Sequence, residues 1–544
     1  MKYKWLLITI MVLAAVLRLY GLTKYPDGLN ADEAALGYNA YSLLLTGKDE
    51  HGHYWPVNLE SFADYKPALY AYLIIPLIKV LGLTDLAVRL PSALAGIVAV
   101  LLVYLLVTEL MGTELKEKNY GLAAAAMLAL SPWHLKFSRG SWETNLATTL
   151  ILAGAWLMVK WLKSQKGRYL IWVATILVVS MYTYQSARLV APLLAGGWVF
   201  FNWQRKWLGQ KQTWMAVAVA GALLLPLVWS IVSTSAGSRL VGVGLLADVG
   251  PVNRANELRG QHQSLNSSLS RMLHNRWVLY TVAFFKNYSD HFGGDFLFVN
   301  GDMIERYKIP ETGLLYLTDV VLVVVGLVWF IRRSPKYSNV IWWWLLIAPV
   351  ASALTFQTPN AHRSENMVIP IIIIGAVGLV ATINFLRKQP LKYVTLTILV
   401  LVYAWQIIRH LHQYYVHYPQ AYPMAWDYGF RELVDYVHSV ENNYAKILVT
   451  DKYDQPYILF LYYLRYSPEK FQDHHELTPR DKFNFSTVRD FYKYHFESTP
   501  WEKVRDIHSS LIVAAPEDIP DVGVNIVKTI YFPGGKPAFK IISN

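Results

Sequence analysis

The chain has 544 residues, 54% of them hydrophobic and only 16% charged, against roughly 25% charged in an ordinary soluble domain. That balance excludes a simple soluble protein and indicates a polytopic membrane protein, with its many Trp and Tyr expected at the membrane–water interfaces. The net charge of +12 does not point to nucleic acid, because Lys and Arg cluster in turns between apolar runs, where topology alone requires them. The absence of cysteine excludes disulfides, thiolate metal ligands and a cysteine nucleophile.

The N-terminus has the charge and apolar run of a signal peptide. Arg18-Leu-Tyr-Gly-Leu stands where a small-residue cleavage site would be, so an uncleaved first span over 4–22 is expected. Further runs long enough to cross a bilayer lie near 91–110, 120–137, 144–162, 169–185, 187–203, 213–233, 313–332, 339–356, 367–386 and 391–409. A shorter run, 67–83, carries Pro76 and Lys79. If the basic turns Lys2/Lys4, Lys116/Lys118, Lys160–Arg168, Arg205–Lys211, Arg332–Lys336 and Arg387–Lys392 are all cytoplasmic, this run does not cross. It is expected to lie at the outer interface.

The sequence therefore predicts a mostly α fold. It comprises a polytopic membrane helix bundle of about 11 transmembrane helices plus interfacial helices (1–409), with a C-terminal extracytoplasmic α/β domain (410–544). With the N-terminus cytoplasmic, loops 23–90, 138–143, 234–312 and 357–366 are external. The unusual polar residues then fall on one side, whereas a transporter is expected to place ionisable groups near the midplane.

Asp32-Glu33 lies in the first turn of a helix expected over 31–45, where acids complement the helix dipole. A carboxylate there is also suited to taking a proton from a hydroxyl, and adjacent helical residues point about 100° apart, so one of the two faces a shared site. Asp64-Tyr-Lys66-Pro67 is expected to open the interfacial helix. Its free N–H groups and Lys66 would favour a phosphate, although Lys66 at such a place also suits snorkelling. The stretch from Ser131 to Glu143 is dense in charge, with His134, Lys136, Arg139 and Glu143. Arg139 and Glu143 have the spacing of a simple i,i+4 pair; alternatively Glu143 is a second acid facing the first. The long loop 234–312 contains Arg239 and the segment with Asp290, His291, Asp295 and Asp302, which lacks tight metal-ligand spacing. No cofactor is expected, with a divalent metal as the alternative. His362 and Arg363 fill the last small loop, where Arg363 would hold a phosphate in bidentate fashion. In the C-terminal region, 445–450 and 510–515 read as strands, 525–543 as a hairpin, and 427–440 and 454–465 as helices.

Asp-Glu after the first span, Lys66-Pro67, Arg89-Leu-Pro-Ser-Ala-Leu, Ser131-Pro-Trp-His with its following Ser-Arg and Glu143, and Tyr182-Thr-Tyr-Gln-Ser-Ala-Arg188 together resemble C-type glycosyltransferases. The segments around 287–302 and 359–364 also look like bacterial members of this group. The nearest resemblance is to the protein O-mannosyltransferase and lipid A aminoarabinose transferase group. It implies inverting transfer of a sugar from a polyprenyl-phosphate carrier to a hydroxyl on a protein, lipid or glycan, at the extracytoplasmic face of a cell membrane. It maps the general base onto Asp32, the carrier-phosphate contact onto Lys66 and, less securely, a second-loop acid onto Glu143. Glu33 is retained as a further catalytic candidate, and Arg139, Arg239, Arg363, Asp64, His134 and His362 as candidate substrate or phosphate ligands. An oligosaccharide ligase or oligosaccharyltransferase-like enzyme, a lipid-linked sugar transporter and a non-catalytic binding protein are the competing classes.

Overall fold

A computed structural model of the protein describes residues 2–112, 117–233, 244–262, 268–386, 388–479 and 486–544. Lys116, Arg239 and Arg387 lie outside the described residues. The expected apolar runs are helical, including α1 (Lys2–Leu19) and, after the first loop, α4 (Asp85–Met111). Among the described residues, five helices are long and apolar enough to cross a membrane: Asp85–Met111, Glu143–Ser164, Lys211–Ser233, Glu365–Phe385 and Gln389–Ala421. Two runs read as single spans are broken by proline. Lys118–Leu130 stops before Ser131, whose extended backbone suits a residue preceding Pro, and Pro132–Phe137 forms a separate short helix. Pro349 likewise divides Asn339–Ile347 from Val350–Ala353.

The chain forms two compact units. The first (Met1–Tyr20, Ser92–Ser138 and Trp142–Leu411) is helical. In it, Leu317–Arg333 packs along Val368–Phe385, and the glycines at the crossing allow backbone contact. A Cβ on Gly326 would lie 1.9 Å from the Ile374 carbonyl oxygen, and one on Gly378 would lie 1.8 Å from that of Leu322. Asp319, the most conspicuous acid within a predicted span, belongs to this helix's first turn, where it accepts the Tyr316 N–H (3.0 Å) and the Tyr403 hydroxyl. It is a capping residue.

The second unit (Gly21–Pro91, Arg139–Ser141 and His412–Asn544) joins the whole first loop with the C-terminal region. Its first part holds α2 (Ala31–Thr46), strands β1 (Asn58–Ser61) and β2 (Asp64–Pro67), and α3 (Leu69–Leu81). At thirteen residues, α3 is about 20 Å long, short of the roughly 30 Å hydrocarbon core. The second part is a seven-stranded sheet of β3 (Lys446–Val449), β4 (Glu476–Leu477), β5 (Val488–Phe491), β6 (Tyr494–Phe496), β7 (Ser510–Ala514), β8 (Ile526–Tyr531) and β9 (Pro537–Ser543). The strand order is β4-β5-β6-β3-β7-β9-β8, and β3 runs parallel to β6 and β7. Leu448, Ile512 and Ile542 are buried on it with Val504.

Candidate active site

Helix α2 begins at Asn30, whose side-chain oxygen accepts the N–H groups of Asp32 (3.0 Å) and Glu33 (3.2 Å). This satisfies two donors that the helix cannot satisfy internally. The Ala31 N–H is taken by Asp427 (3.1 Å). With its start fixed, the helix sends its two acids in different directions. Glu33 is buried. It accepts Arg89 Nε (3.0 Å) and Nη2 (2.8 Å), and its Oε1 also takes the Ser141 N–H (2.8 Å) and hydroxyl (3.2 Å). Arg89 in turn donates to the carbonyls of Leu22 (3.0 Å), Pro26 (2.8 Å) and Gly28 (2.5 Å), and its guanidinium lies 5.5 Å from the Trp426 ring. Glu33, retained as a catalytic candidate, is thus occupied in holding the first loop together. Asp32 is the acid that meets solvent, with its side chain 45% exposed.

The partner of Asp32 is Lys66, whose ammonium donates to its carboxylate and is itself only 9% exposed. Lys66 does not open a helix, as the Lys-Pro pair led us to expect. It sits on β2, opposite Leu59 of β1, and the helix starts only at Leu69. The residue before a proline disfavours the α region, and a tight turn at Phe62 (φ 60°) and Ala63 (φ 56°) returns the chain as a hairpin. Positive φ at both central residues is the type I′ signature, normally written Asn-Gly. The Lys66 ammonium also lies 4.5 Å from the Phe62 ring centroid. Asp64, paired with Ser61 across the hairpin, is buried and accepts the Tyr65 N–H (2.9 Å).

A further acid, Glu50, was not singled out from the sequence. It is fully buried, and its Oε1 accepts the hydroxyls of Ser61 (2.8 Å) and Tyr457 (3.2 Å), while Oε2 has no hydrogen-bond partner among the described residues. Burial pushes its carboxyl up to about 8, opposed by the Ser61 bond and the Lys66 charge. No local motif marks it, since its neighbours come from the hairpin and from Pro456–Leu464.

The remaining candidates have other surroundings. Arg139, in the same unit as Asp32, is buried. It donates to Tyr414 Oη (3.1 Å) and to the carbonyls of Gly21 (3.3 Å) and Tyr25 (3.2 Å), and so braces the first loop. Glu143, His134, His362 and Arg363 belong to the first unit. Glu143 is a buried first-turn acid. His134 is buried, and its Nδ1 lies 2.8 Å from Arg18 Nη2, which also donates to the Leu128 carbonyl (3.2 Å). Its Nε2 is buried with no hydrogen-bond partner among the described residues. His362 stacks on Phe137 at 5.6 Å and lies 3.4 Å from Tyr184 Oη. Arg363 donates to Thr355 Oγ1 (2.7 Å) and the Gln357 carbonyl (3.4 Å). Arg239 lies outside the described residues. The four loop residues weighed as metal ligands have separate partners: Asp290 pairs with Lys286, His291 contacts Ser352, Asp295 accepts from Asn300, and Asp302 accepts the N–H groups of Ile304 and Ala361. Among the described residues, no three such side chains converge on a metal position.

Residues 65–229 match the family model described as dolichyl-phosphate-mannose-protein mannosyltransferase. The fold is similar to that of ArnT from Cupriavidus metallidurans in the apo state. The TM-score is 0.56 at 10% identity, covering 98% of this chain and 97% of that one. For ArnT bound to undecaprenyl phosphate the TM-score is 0.53 at 12% identity, with the same coverage of both chains. A weaker likeness links it to the oligosaccharyltransferase AglB from Archaeoglobus fulgidus, in complex with an inhibitory peptide and a dolichol-phosphate. There the TM-score is 0.48 at 10% identity over 85% of this chain and 63% of that one. No curated protein matches the sequence. The family-model match covers less than a third of the chain, and the similarity to ArnT is one of fold, in a protein with five helices long and apolar enough to cross a membrane among the described residues.

Proposed function

We propose that the protein transfers a sugar from a polyprenyl-phosphate carrier to a hydroxyl-bearing acceptor, with inversion at the anomeric carbon, at the extracytoplasmic face of the membrane. The observation that carries this reading is the pairing of the half-exposed Asp32 with the nearly buried Lys66. Asp32 takes the acceptor's hydroxyl proton as the oxygen bonds to the anomeric carbon. The bond from that carbon to the carrier phosphate breaks, and the departing phosphate draws Lys66 away from Asp32 and is neutralised by it. Positive charge placed where negative charge develops is often the largest single catalytic contribution. The Glu33–Arg89 pair sets the angle of α2, and β1 with β2 sets that of Lys66. The ArnT structure with undecaprenyl phosphate supports a carrier of this chemistry. Eleven spans with a cytoplasmic N-terminus complete the proposal. The bond to phosphate supplies the driving force, so no nucleotide enters the step.

The test supplies membranes containing the protein with a panel of labelled polyprenyl-phosphate sugars and follows the label. The proposal expects at least one labelled sugar to move to a hydroxyl of an endogenous acceptor and lipid phosphate to be released. Translocation of intact donor across the membrane without bond cleavage would instead identify a transporter.

A further inference from the structure

The second compact unit contains a cavity of about 850 Å³ that the catalytic proposal does not use. One wall comes from the segment around Asp27 and the start of α4, and the other comes from the C-terminal region. In its lining, the buried Asp85 accepts the Tyr462 hydroxyl (3.3 Å) and a hydrogen bond from Arg431. The Arg431 guanidinium also lies 5.1 Å from the Tyr463 ring. Tyr428 and Asp435 stand on the C-terminal side.

The chemistry of this lining is selective. Its cations are Lys24, Arg431 and Arg465, and its acids are Asp27, Asp85 and Asp435, so the formal charges cancel. A strongly anionic ligand gains little there. Tyrosine faces offer flat apolar surface for the C–H face of a sugar ring, while carboxylates and guanidinium groups exchange hydrogen bonds with its hydroxyls. The volume lies within the range of small-molecule sites.

The cavity is also tied to the catalytic helix. Arg89, one turn after Asp85, holds both the Gly28 carbonyl beside Asp27 and the Glu33 carboxylate beside Asp32. Tyr462 packs against α2 so closely that a Cβ on Gly37 would lie 2.7 Å from its ring. Asp32 lies five positions after Asp27, at most about 17 Å of chain, a reach that a short oligosaccharide covers.

We propose that this cavity binds a neutral saccharide belonging to the acceptor, so that the acceptor is a glycan or glycolipid; the acceptor role rests on the transferase reading above, whereas the binding does not. The full chain in nanodiscs is titrated with neutral oligosaccharides of two to four residues, with inorganic phosphate as the anionic probe, and binding is read by saturation-transfer NMR. At least one neutral oligosaccharide is expected to bind. Loss of the half-buried Tyr428 ring (Tyr428→Ala) weakens it about 3–10-fold, as expected for an aromatic contact, and Asp435→Asn weakens it independently. Asp32→Asn retains this binding while losing transfer, which separates failure of the cavity proposal from failure of the catalytic one. Binding of phosphate alone, binding of no saccharide, or saccharide binding unaffected by both cavity variants overturns the proposal.

Discussion

Neighbouring acids on α2 are expected to fail in opposite ways. Glu33→Ala removes a carboxylate that holds two Arg89 donors and two Ser141 donors. It leaves a guanidinium with 0% exposure against three carbonyls and the Trp426 ring, with Asp85 one turn back as the remaining nearby carboxylate. Breaking a buried pair by deleting one partner costs about 3–5 kcal/mol, a large share of the roughly 5–15 kcal/mol that holds a domain folded. Ser141→Ala, which loses only the hydroxyl, sets the scale at about 1 kcal/mol. Asp32→Ala disrupts a pair in which the acid is 45% exposed, worth about 0–1 kcal/mol after solvent screening. Thermal unfolding of the purified protein in nanodiscs ranks the three variants. The reasoning predicts a large loss for Glu33→Ala, a small one for Ser141→Ala and the smallest for Asp32→Ala. Equal stability of the Glu33 and Asp32 variants would refute it.

Other outcomes follow from the same packing. Glu50 titrates near 8 in the folded protein, against an ordinary value of 4.5. Between those values the folded state holds the extra proton, so its contribution to stability is full below about 4.5 and is lost as pH rises through about 8. Glu50→Gln should flatten the fall in melting temperature between about pH 5 and 8, and an unchanged slope would exclude this assignment. Gly37→Ala should destabilise by about 1–3 kcal/mol through overpacking, because its Cβ would lie 2.7 Å from Tyr462 and 2.8 Å from Val88; a melting temperature at or above wild type contradicts this. Asp302→Ala strips acceptors from the Ile304 and Ala361 N–H groups and should cost about 1–3 kcal/mol, visible as faster amide exchange at both positions.

Much of the architecture was legible because it is written locally. Apolar length reveals the membrane helices, and helical spacing with two first-turn acids marks α2, expected over 31–45 and observed at Ala31–Thr46. The strands expected at 445–450, 510–515 and 525–543 correspond to β3, β7 and the β8–β9 pair. What stayed hidden depends on distant partners or on an atypical turn. Phe62-Ala63 has no glycine or asparagine to betray a type I′ hairpin, so Lys66 was placed on the wrong kind of element. Nothing near Glu33 shows that Arg89, 56 residues away, claims it. Arg139 likewise reads as a partner of Glu143 or of a phosphate, because Tyr414 and the carbonyls of Gly21 and Tyr25 are brought to it only by the fold. Glu50 needs Tyr457 and the hairpin before its burial becomes visible.

The most direct test of the account is single-turnover transfer measured across donor concentration with purified polyprenyl-phosphate sugar, comparing wild type, Asp32→Asn and Lys66→Met. Because Asp32 takes the proton and Lys66 holds the phosphate, Asp32→Asn is expected to bind donor normally but transfer about 10²–10⁴-fold more slowly, whereas Lys66→Met both weakens donor binding and slows transfer. Wild-type transfer by Asp32→Asn would contradict it.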